Sequence, residues 1–263
     1  MALTEILVHL EPGPRCSARL ELTLALAQRY AAGLTGCYAV GAHDFAGDRA
    51  REPMADVRNH FEARLAERGV TGRWLVPEST ALGVTVAEQL AGQALYADLV
   101  VVGQVDPRAG ARHGSDPLVE RLLQASGRPV LVVPYAGSFA ATGTRVLVGW
   151  KGGRESGRAV FDALPLLRGA EQVSALGLIP AGAGAAEITA SLNRLEEYLA
   201  GHGVTVRGER LVCSDISKAD LLLNRAAEEG TDLLVVGALT QGRMGEVARH
   251  LLDHMTVPVL MSH

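Results

Sequence analysis

Residues 97–103 (ADLVVVG) and 231–237 (TDLLVVG) are one element written twice. Each is an aspartate, an unbroken run of Leu and Val, and a glycine. Such a run, bounded by turn residues, reads as a strand buried on both faces. Three further pairs line up around it in the same order. ILVHL from Ile6 matches VLVGW from Val146, ERGVTGR around Gly69 matches GHGVTVR around Gly203, and RPVLVV around Pro129 matches VPVLMS around Pro258. The separation between partners shortens only slowly along the chain, as two copies of one ancestor would give after separate trimming. Each copy is far longer than a solenoid repeat, so each is a domain in its own right. The expected domains are 1–136 and 143–263, joined by an Ala/Gly/Thr-rich linker over 135–144.

Between the matched strands the apolar spacing switches to that of helices. In the first copy, strands are expected at 5–10, 34–40, 72–76, 99–102 and 129–133. Helices are expected at 17–30, capped by Ser17, then at 55–68, 85–96 and 118–125. The second helix carries Val57, Phe61 and Leu65 on one face and is stopped by Gly69. Residues 42–53 and 104–116 read as loops. In the second copy, strands are expected at 145–150, 172–179, 204–211, 233–236 and 257–261, with helices at 156–167, 188–200, 218–229 and 247–254. Alternating strands and helices predict an α/β fold: two tandem, doubly wound, five-stranded parallel-sheet domains related by an internal pseudo-twofold. The last strands of the two copies, 130–133 and 257–261, are short, apolar edges expected to cover one another.

Composition narrows the function. Of 263 residues, 48% are apolar but only 4% aromatic, which suits Ala/Leu/Val helices on a parallel sheet. The formal charge of −4 gives no electrostatic case for nucleic acid or an anionic membrane. No apolar run nears the ~18 residues of a membrane span, and no basic-then-apolar start marks a signal segment. A soluble, cytoplasmic protein is expected. Cys16, Cys37 and Cys213 are scattered and fit reduced thiols.

In open parallel sheets ligands sit beyond the carboxyl ends of the strands. Chemistry is therefore sought after Leu10, Val102, Trp150 and Val236. The strand-one loop LVGWKGGRES from Leu147, the DLVVVG and DLLVVG strands and the PVLVV and PVLMS closing strands resemble the universal stress protein family in its tandem form. The tail RHLLDHMTVPVLMSH is similar to the last segment of bacterial tandem members. The resemblance implies an adenine-nucleotide alpha-hydrolase-like fold, a cytoplasmic stress-response role and dimerisation through the last strand. Some members bind ATP or AMP, and others do not.

The family's nucleotide signature is an acidic residue ending strand one and a loop of the form G-x2-G-x9-G-[ST]. Glycines let backbone N–H groups reach phosphates, and the hydroxyl donates at a helix N-terminus. Here Glu11 and Gly103 keep the first elements, but the second glycine falls on Asp106, the third on Asp116 and the hydroxyl on Pro117. Carboxylates repel phosphate, and proline has no N–H to give. Gly110, Gly114 and Ser115 could form a shifted cradle, though a solvated loop accounts for them. In the second copy about five loop residues are missing between Gly237 and Pro258, Gly245 falls on the third glycine and Glu246 on the hydroxyl. Lys151 inverts the acidic residue. ATP and AMP are disfavoured as cofactors in both copies.

Other constellations are weaker. Lys151, Gly152, Gly153 and Arg154 precede a helix capped near Ser156, with Gly237, Arg243 and Gly245 opposite; they form a candidate anion seat. His250 and His254 stand four apart with Asp253 between them and His263 at the tail, but no third ligand follows at fixed spacing, so no metal is assigned. Cys16 beside His9 and Glu11 suggests a nucleophile, yet its counterpart Ser156 has no histidine, and small capping residues explain both.

The expected function is a non-enzymatic binding or interaction module with degenerate nucleotide sites. The alternatives are an ATP/AMP-binding stress protein with weak hydrolysis or autophosphorylation, and a sensor of another anionic or apolar metabolite. The partner is a protein or small molecule. Because the two copies satisfy the family's dimer interface within one chain, the particle is a monomer containing a pseudo-dimer, or a homodimer. Further association would use other surfaces, with Phe61, Leu65, Leu192 and Leu195 as candidates. Light scattering after size exclusion should therefore give a monomer or dimer mass; a mass of a tetramer or more, holding on dilution, contradicts this.

Overall fold

A computed structural model describes residues 2–40, 51–77, 84–105, 118–139, 142–180, 185–213 and 216–263. The chain divides into two compact units, Ala2–Ala140 and Ala141–His263.

In the N-terminal unit the order is β1 (Glu5–Leu10), α1 (Pro14–Tyr30), β2 (Gly33–Tyr38), α2 (Arg51–Arg68), β3 (Gly72–Leu75), α3 (Val86–Ala94), β4 (Leu99–Gly103), α4 (Leu118–Ser126) and β5 (Val130–Val133). The strands lie side by side as β3-β2-β1-β4-β5, all parallel. The path steps outward from β1 to β3, then returns to β4 on the other side of β1. Right-handed crossovers in opposite directions place the helices of the two directions on opposite faces. Accordingly α1 packs with α2, and α3 with α4.

The C-terminal unit repeats the plan. Its elements are β6 (Arg145–Trp150), α5 (Arg154–Arg168), β7 (Gln172–Pro180), α6 (Ala185–Gly201), β8 (Arg207–Cys213), α7 (Lys218–Glu228), β9 (Leu233–Gly237), β10 (Leu239–Thr240), β11 (Arg243–Met244), α8 (Glu246–His254) and β12 (Val259–Ser262). The parallel order is β8-β7-β6-β9-β12. Registers correspond as well: Ile6 pairs with Leu34 and Leu99, and its counterpart Val146 pairs with Val173 and Leu233. The chain is thus two tandem doubly wound domains.

The elements fall close to their expected places, with instructive exceptions. Helix α1 begins at Pro14, not Ser17. Gly13 is the N-cap and proline takes the first turn, where its missing N–H costs nothing. Helix α5 likewise begins at Arg154, with Gly153 as N-cap and Ser156 inside the first turn. Residues 51–53, read as loop, open α2; the rest of that expected loop, 42–50, lies outside the described residues. Strand β8 starts at Arg207 rather than at Val204. The antiparallel β10–β11 hairpin was not anticipated. Its turn holds Gln241 at φ 51° and Gly242 at φ 77°, the left-handed pair that matches strand twist.

The strands β1, β4, β6 and β9 at the centre of the two sheets are mainly buried Val, Leu and Ile, and the helices add Leu-rich faces. Phe61 is fully buried between α2 and the sheet, 5.9 Å from the Trp74 ring, where Gly36 leaves room for it. Phe61, Leu65, Leu192 and Leu195 are all core residues. They are not available for association, because the sheet of each unit covers them. No helix among the described residues is long and apolar enough to cross a membrane.

Phe61→Ala should lower unfolding free energy by ~3–5 kcal/mol, the cost of an emptied aromatic site. Urea denaturation of the variant checks this, with the exposed Val105→Ala as a control expected to change little.

Candidate functional site

The reversal of strand order lies between β1 and β4 in the N-terminal unit, and between β6 and β9 in the C-terminal unit. The carboxyl ends of each pair frame the cleft a ligand would enter.

In the N-terminal unit this point is filled from within. Arg19, on the apolar face of α1, is only 2% exposed. Its Nε donates to the His9 carbonyl at 2.7 Å, and its Nη2 donates to Glu11 Oε1 at 3.2 Å. The remaining edge of the guanidinium lies against Gly103, where a β-carbon would collide with Nη1. Gly103, the first glycine of the phosphate signature, thus makes room for a cation of the chain itself. Glu11, the retained acidic residue, is that cation's counter-ion. An unpaired buried guanidinium would cost several kcal/mol, so these bonds also hold the loop after β1. Gln104 continues the frame: its N–H donates to Val133 O, and its side chain accepts from Tyr135 N, both at 2.8 Å. Asp106, Gly110, Gly114, Ser115, Asp116 and Pro117 lie outside the described residues.

His9 is buried and its Nε2 sits 2.7 Å from the Ala39 carbonyl, so Nε2 carries the proton. Burial, first, and the neighbouring Arg19 charge hold its pKa below the usual imidazole value, against Glu11 and the Ala39 bond. Cys16 is buried at the start of α1, and His9 is turned to Ala39, so no activated nucleophile is formed here. Cys37 is pushed up to about 12 by burial, which keeps it a thiol.

In the C-terminal unit the cleft is closed differently. Gly152 takes φ 75° beneath Ser191 of α6, whose Oγ accepts from Trp150 Nε1 at 2.9 Å. Gly153 then caps α5. A β-carbon on Gly237 would stand 2.6 Å from the carbonyl carbon of Glu155, so the first turn of α5 rests directly on the end of β9. Lys151 Nζ lies 3.1 Å from Glu155 Oε2 and 3.5 Å from Thr240 Oγ1 of the hairpin. The Glu155 carboxyl is held below its usual range by its own backbone N–H first, then by Lys151. A carboxylate of the chain therefore already takes a helix-end N–H and the lysine.

Of the proposed seat, the structure brings Lys151, Gly152, Gly153, Arg154 and Gly237 to one strand-loop junction. Arg243 stands on the hairpin opposite Thr240, and Gly245 caps α8 while donating to Ala238 O at 2.9 Å. Arg154 and Arg243 are exposed. The reading of the sequence missed Arg19, Glu155 and Thr240. Arg19 left a signal: it falls at helical spacing among Cys16, Leu20 and Thr23, a charge inside an apolar stripe. Glu155 left none, since an acidic first turn is ordinary helix chemistry.

His250 and His254 do share a face of α8, with rings stacked 4.2 Å apart. His250 Nε2 is 2.8 Å from Asp220 Oδ1. Among the described residues no group of three or more His, Cys, Asp or Glu side chains gathers around one point.

No protein-family model and no curated protein matches this chain. Solved structures do. A universal stress protein from Archaeoglobus fulgidus superposes with a TM-score of 0.71 at 14% identity, covering 98% of this chain and 97% of that one. A putative universal stress protein from Pseudomonas aeruginosa gives 0.65 at 19%, covering 99% and 93%. The cytoplasmic domain of a prokaryotic cation chloride cotransporter gives 0.60 at 13%, covering 99% and 95%. The chain has the universal stress protein fold along its whole length, in the two-domain form. The third neighbour illustrates that this fold serves in differing contexts, so function must be argued from the sites.

The His9 environment has a consequence for stability. Its folded pKa is depressed, so its contribution is complete above the unfolded value of 6.5 and is lost as pH falls through the folded value. His9→Gln keeps the bond to Ala39 without the titration. The fall in melting temperature between about pH 7.5 and about pH 5.5 should be shallower in this variant than in the parent; an unchanged slope would assign the acid sensitivity elsewhere.

Proposed function

We propose that this chain is a tandem protein of the universal stress type that works as a non-enzymatic binding or interaction module, its two nucleotide-type clefts occupied by its own charged side chains. One observation carries this reading: each strand-order reversal holds an internal ion pair, Arg19–Glu11 in one unit and Lys151–Glu155 in the other. A triphosphate entering the first cleft would have to displace Glu11 from Arg19. Entering the second, it would meet the Glu155 carboxylate on the helix end that should receive it. The substitutions Asp106, Asp116, Pro117 and Glu246 support the same conclusion.

A small anion at the C-terminal cleft is the second reading. It is favoured by the exposed Arg154 and Arg243 beside the Lys151–Glu155 pair.

Calorimetry with Mg-ATP, AMP and inorganic phosphate tests both, backed by thermal shift, because a ligand of the folded state raises the melting temperature by mass action. The expected outcome is no nucleotide binding and no phosphate release from ATP. A dissociation constant for ATP of about 1 μM, worth ~8 kcal/mol, would overturn the main reading. Phosphate binding that vanishes in Arg154→Ala/Arg243→Ala would establish the second.

A further inference from the structure

The outermost strand of the C-terminal sheet carries a contact that neither reading above uses. Among the described residues β8 pairs only with β7, so its other edge is open. In a parallel strand the N–H and C=O of one residue point to one side, and those of the next residue to the other. On the open side the Gly208 N–H donates to Glu196 Oε1 of α6 at 3.0 Å. Gly208, Arg210 and Val212 therefore turn their backbone groups outward, a row of the kind that recruits another strand.

Glu196 reaches this N–H because Gly208 has no side chain; a β-carbon there would strike its Oε1. Among the described residues no cation pairs with the half-buried Glu196 carboxylate. The N-terminal unit treats the same place differently. The registers match Arg73 to Arg207, and so Trp74 to Gly208. The Trp74 ring packs on Tyr38 and Phe61, with centroids 5.7 and 5.9 Å away. Glu62, which matches Glu196, pairs along α2 with Arg58 at 2.7 Å. Both copies hold the glutamate, and only the C-terminal one turns it onto a strand edge.

The charges of β8 decide what fits its edge. Two copies of the strand can meet antiparallel about a twofold axis. Centred on Gly208, the pairing sets Arg207 opposite Glu209 of the second copy, twice, with glycine facing glycine between them. Centred on Glu209 or Arg210, it sets like charges against each other, and registers centred further on run past the end of β8 at Cys213. Opposite charges directly across a strand pair stabilise it, and like charges do the reverse. The Arg207 side chain is 70% exposed and bonded to Glu209 of its own strand, so the pairing exchanges one carboxylate for an identical one.

We propose that the open edge of β8 is a pairing surface for a second copy of this chain, held closed by Glu196. The carboxylate occupies the N–H on which the twofold centres. Once that N–H is free, the two central glycines exchange both backbone hydrogen bonds. The same patch serves both partners, so the pairing closes at a dimer.

The test compares the parent chain with Glu196→Ala and Glu196→Gln by light scattering after size exclusion, with circular dichroism to confirm folding. Glu196→Ala should have twice the mass of the parent. Glu196→Gln, whose amide oxygen still accepts from Gly208, should keep the parent mass. Adding Arg210→Pro to Glu196→Ala should restore the parent mass, because proline removes an outward N–H at a place where an edge strand tolerates it. Adding Arg207→Glu should do the same by setting carboxylates opposite one another. Glu196→Ala at the parent mass throughout a concentration series, or growing beyond a doubled mass, overturns the pairing. A doubled mass that survives Arg207→Glu overturns the register. A parent dimer that Arg210→Pro splits overturns the closing role of Glu196. Amide hydrogen exchange in the parent tests the contact without any variant: Gly208 should exchange more slowly than Arg210, and equal rates overturn it.

Discussion

One carboxylate holds the central strand pair in each unit, and the rest of that domain follows from it. Asp98, just before β4, accepts from Thr4 N at 2.8 Å, Thr4 Oγ1 at 2.6 Å and Glu5 N at 3.0 Å, all at the start of β1. Asp232, before β9, accepts in the same way from Gly143 N, Thr144 N and Arg145 N at the start of β6. Burial alone would raise the Asp98 carboxyl; the Thr4 and Glu5 bonds outweigh it and keep the group ionised. The strands paired here come from the ends of a long crossover, a non-local contact that local propensity cannot secure. Fixing their amino ends sets their register. The register in turn makes β1 end beside β4, and β6 beside β9, so that each cleft exists at all.

Given that shared frame, the two domains fill the same position by different physics. The N-terminal domain sends a long cationic side chain from α1 beneath Gly103 and neutralises it with Glu11. The C-terminal domain brings the backbone of α5 down onto Gly237 and lets Glu155 and Lys151 satisfy the exposed helix end. Both solutions require glycine at the end of the strand, since a β-carbon would strike the guanidinium in one case and the Glu155 carbonyl in the other. The glycine at the end of each of these strands thus serves close packing. Its presence in the sequence says that something approaches the backbone closely, not what approaches.

The short β10–β11 hairpin shows why the shortened loop of the C-terminal domain resisted reading. Fewer residues between Gly237 and Pro258 suggested a simple deletion. Instead the chain reverses at Gln241–Gly242, pairs Thr240 with Arg243, and returns Gly245 to Ala238. Two-residue strands carry too little alternation to register as strands. The same limit explains the helix starts. Serine looks like a cap wherever it precedes an apolar run, yet at Ser17 and Ser156 the glycine upstream had already released the chain into a helix.

The sequence by itself determined the duplication, the strand and helix order and the buried identity of the central strands. Repeated Leu/Val runs at corresponding places admit only a buried parallel sheet, and hydrophobic patterning is a local property. It also determined that Asp106, Asp116 and Pro117 stand at the spacing G-x2-G-x9-G-[ST] after Gly103, because that is a matter of which residue types occupy a spacing. Only the tertiary structure decided what stands in the clefts. Arg19 and Gly103, or Glu155 and Gly237, are far apart in sequence and meet only when the sheet is assembled. The roles of Asp98 and Asp232 belong to the same class. A hydrogen bond to a carboxylate is set by what folding brings within about 3 Å of it, and no periodicity along the chain encodes that distance.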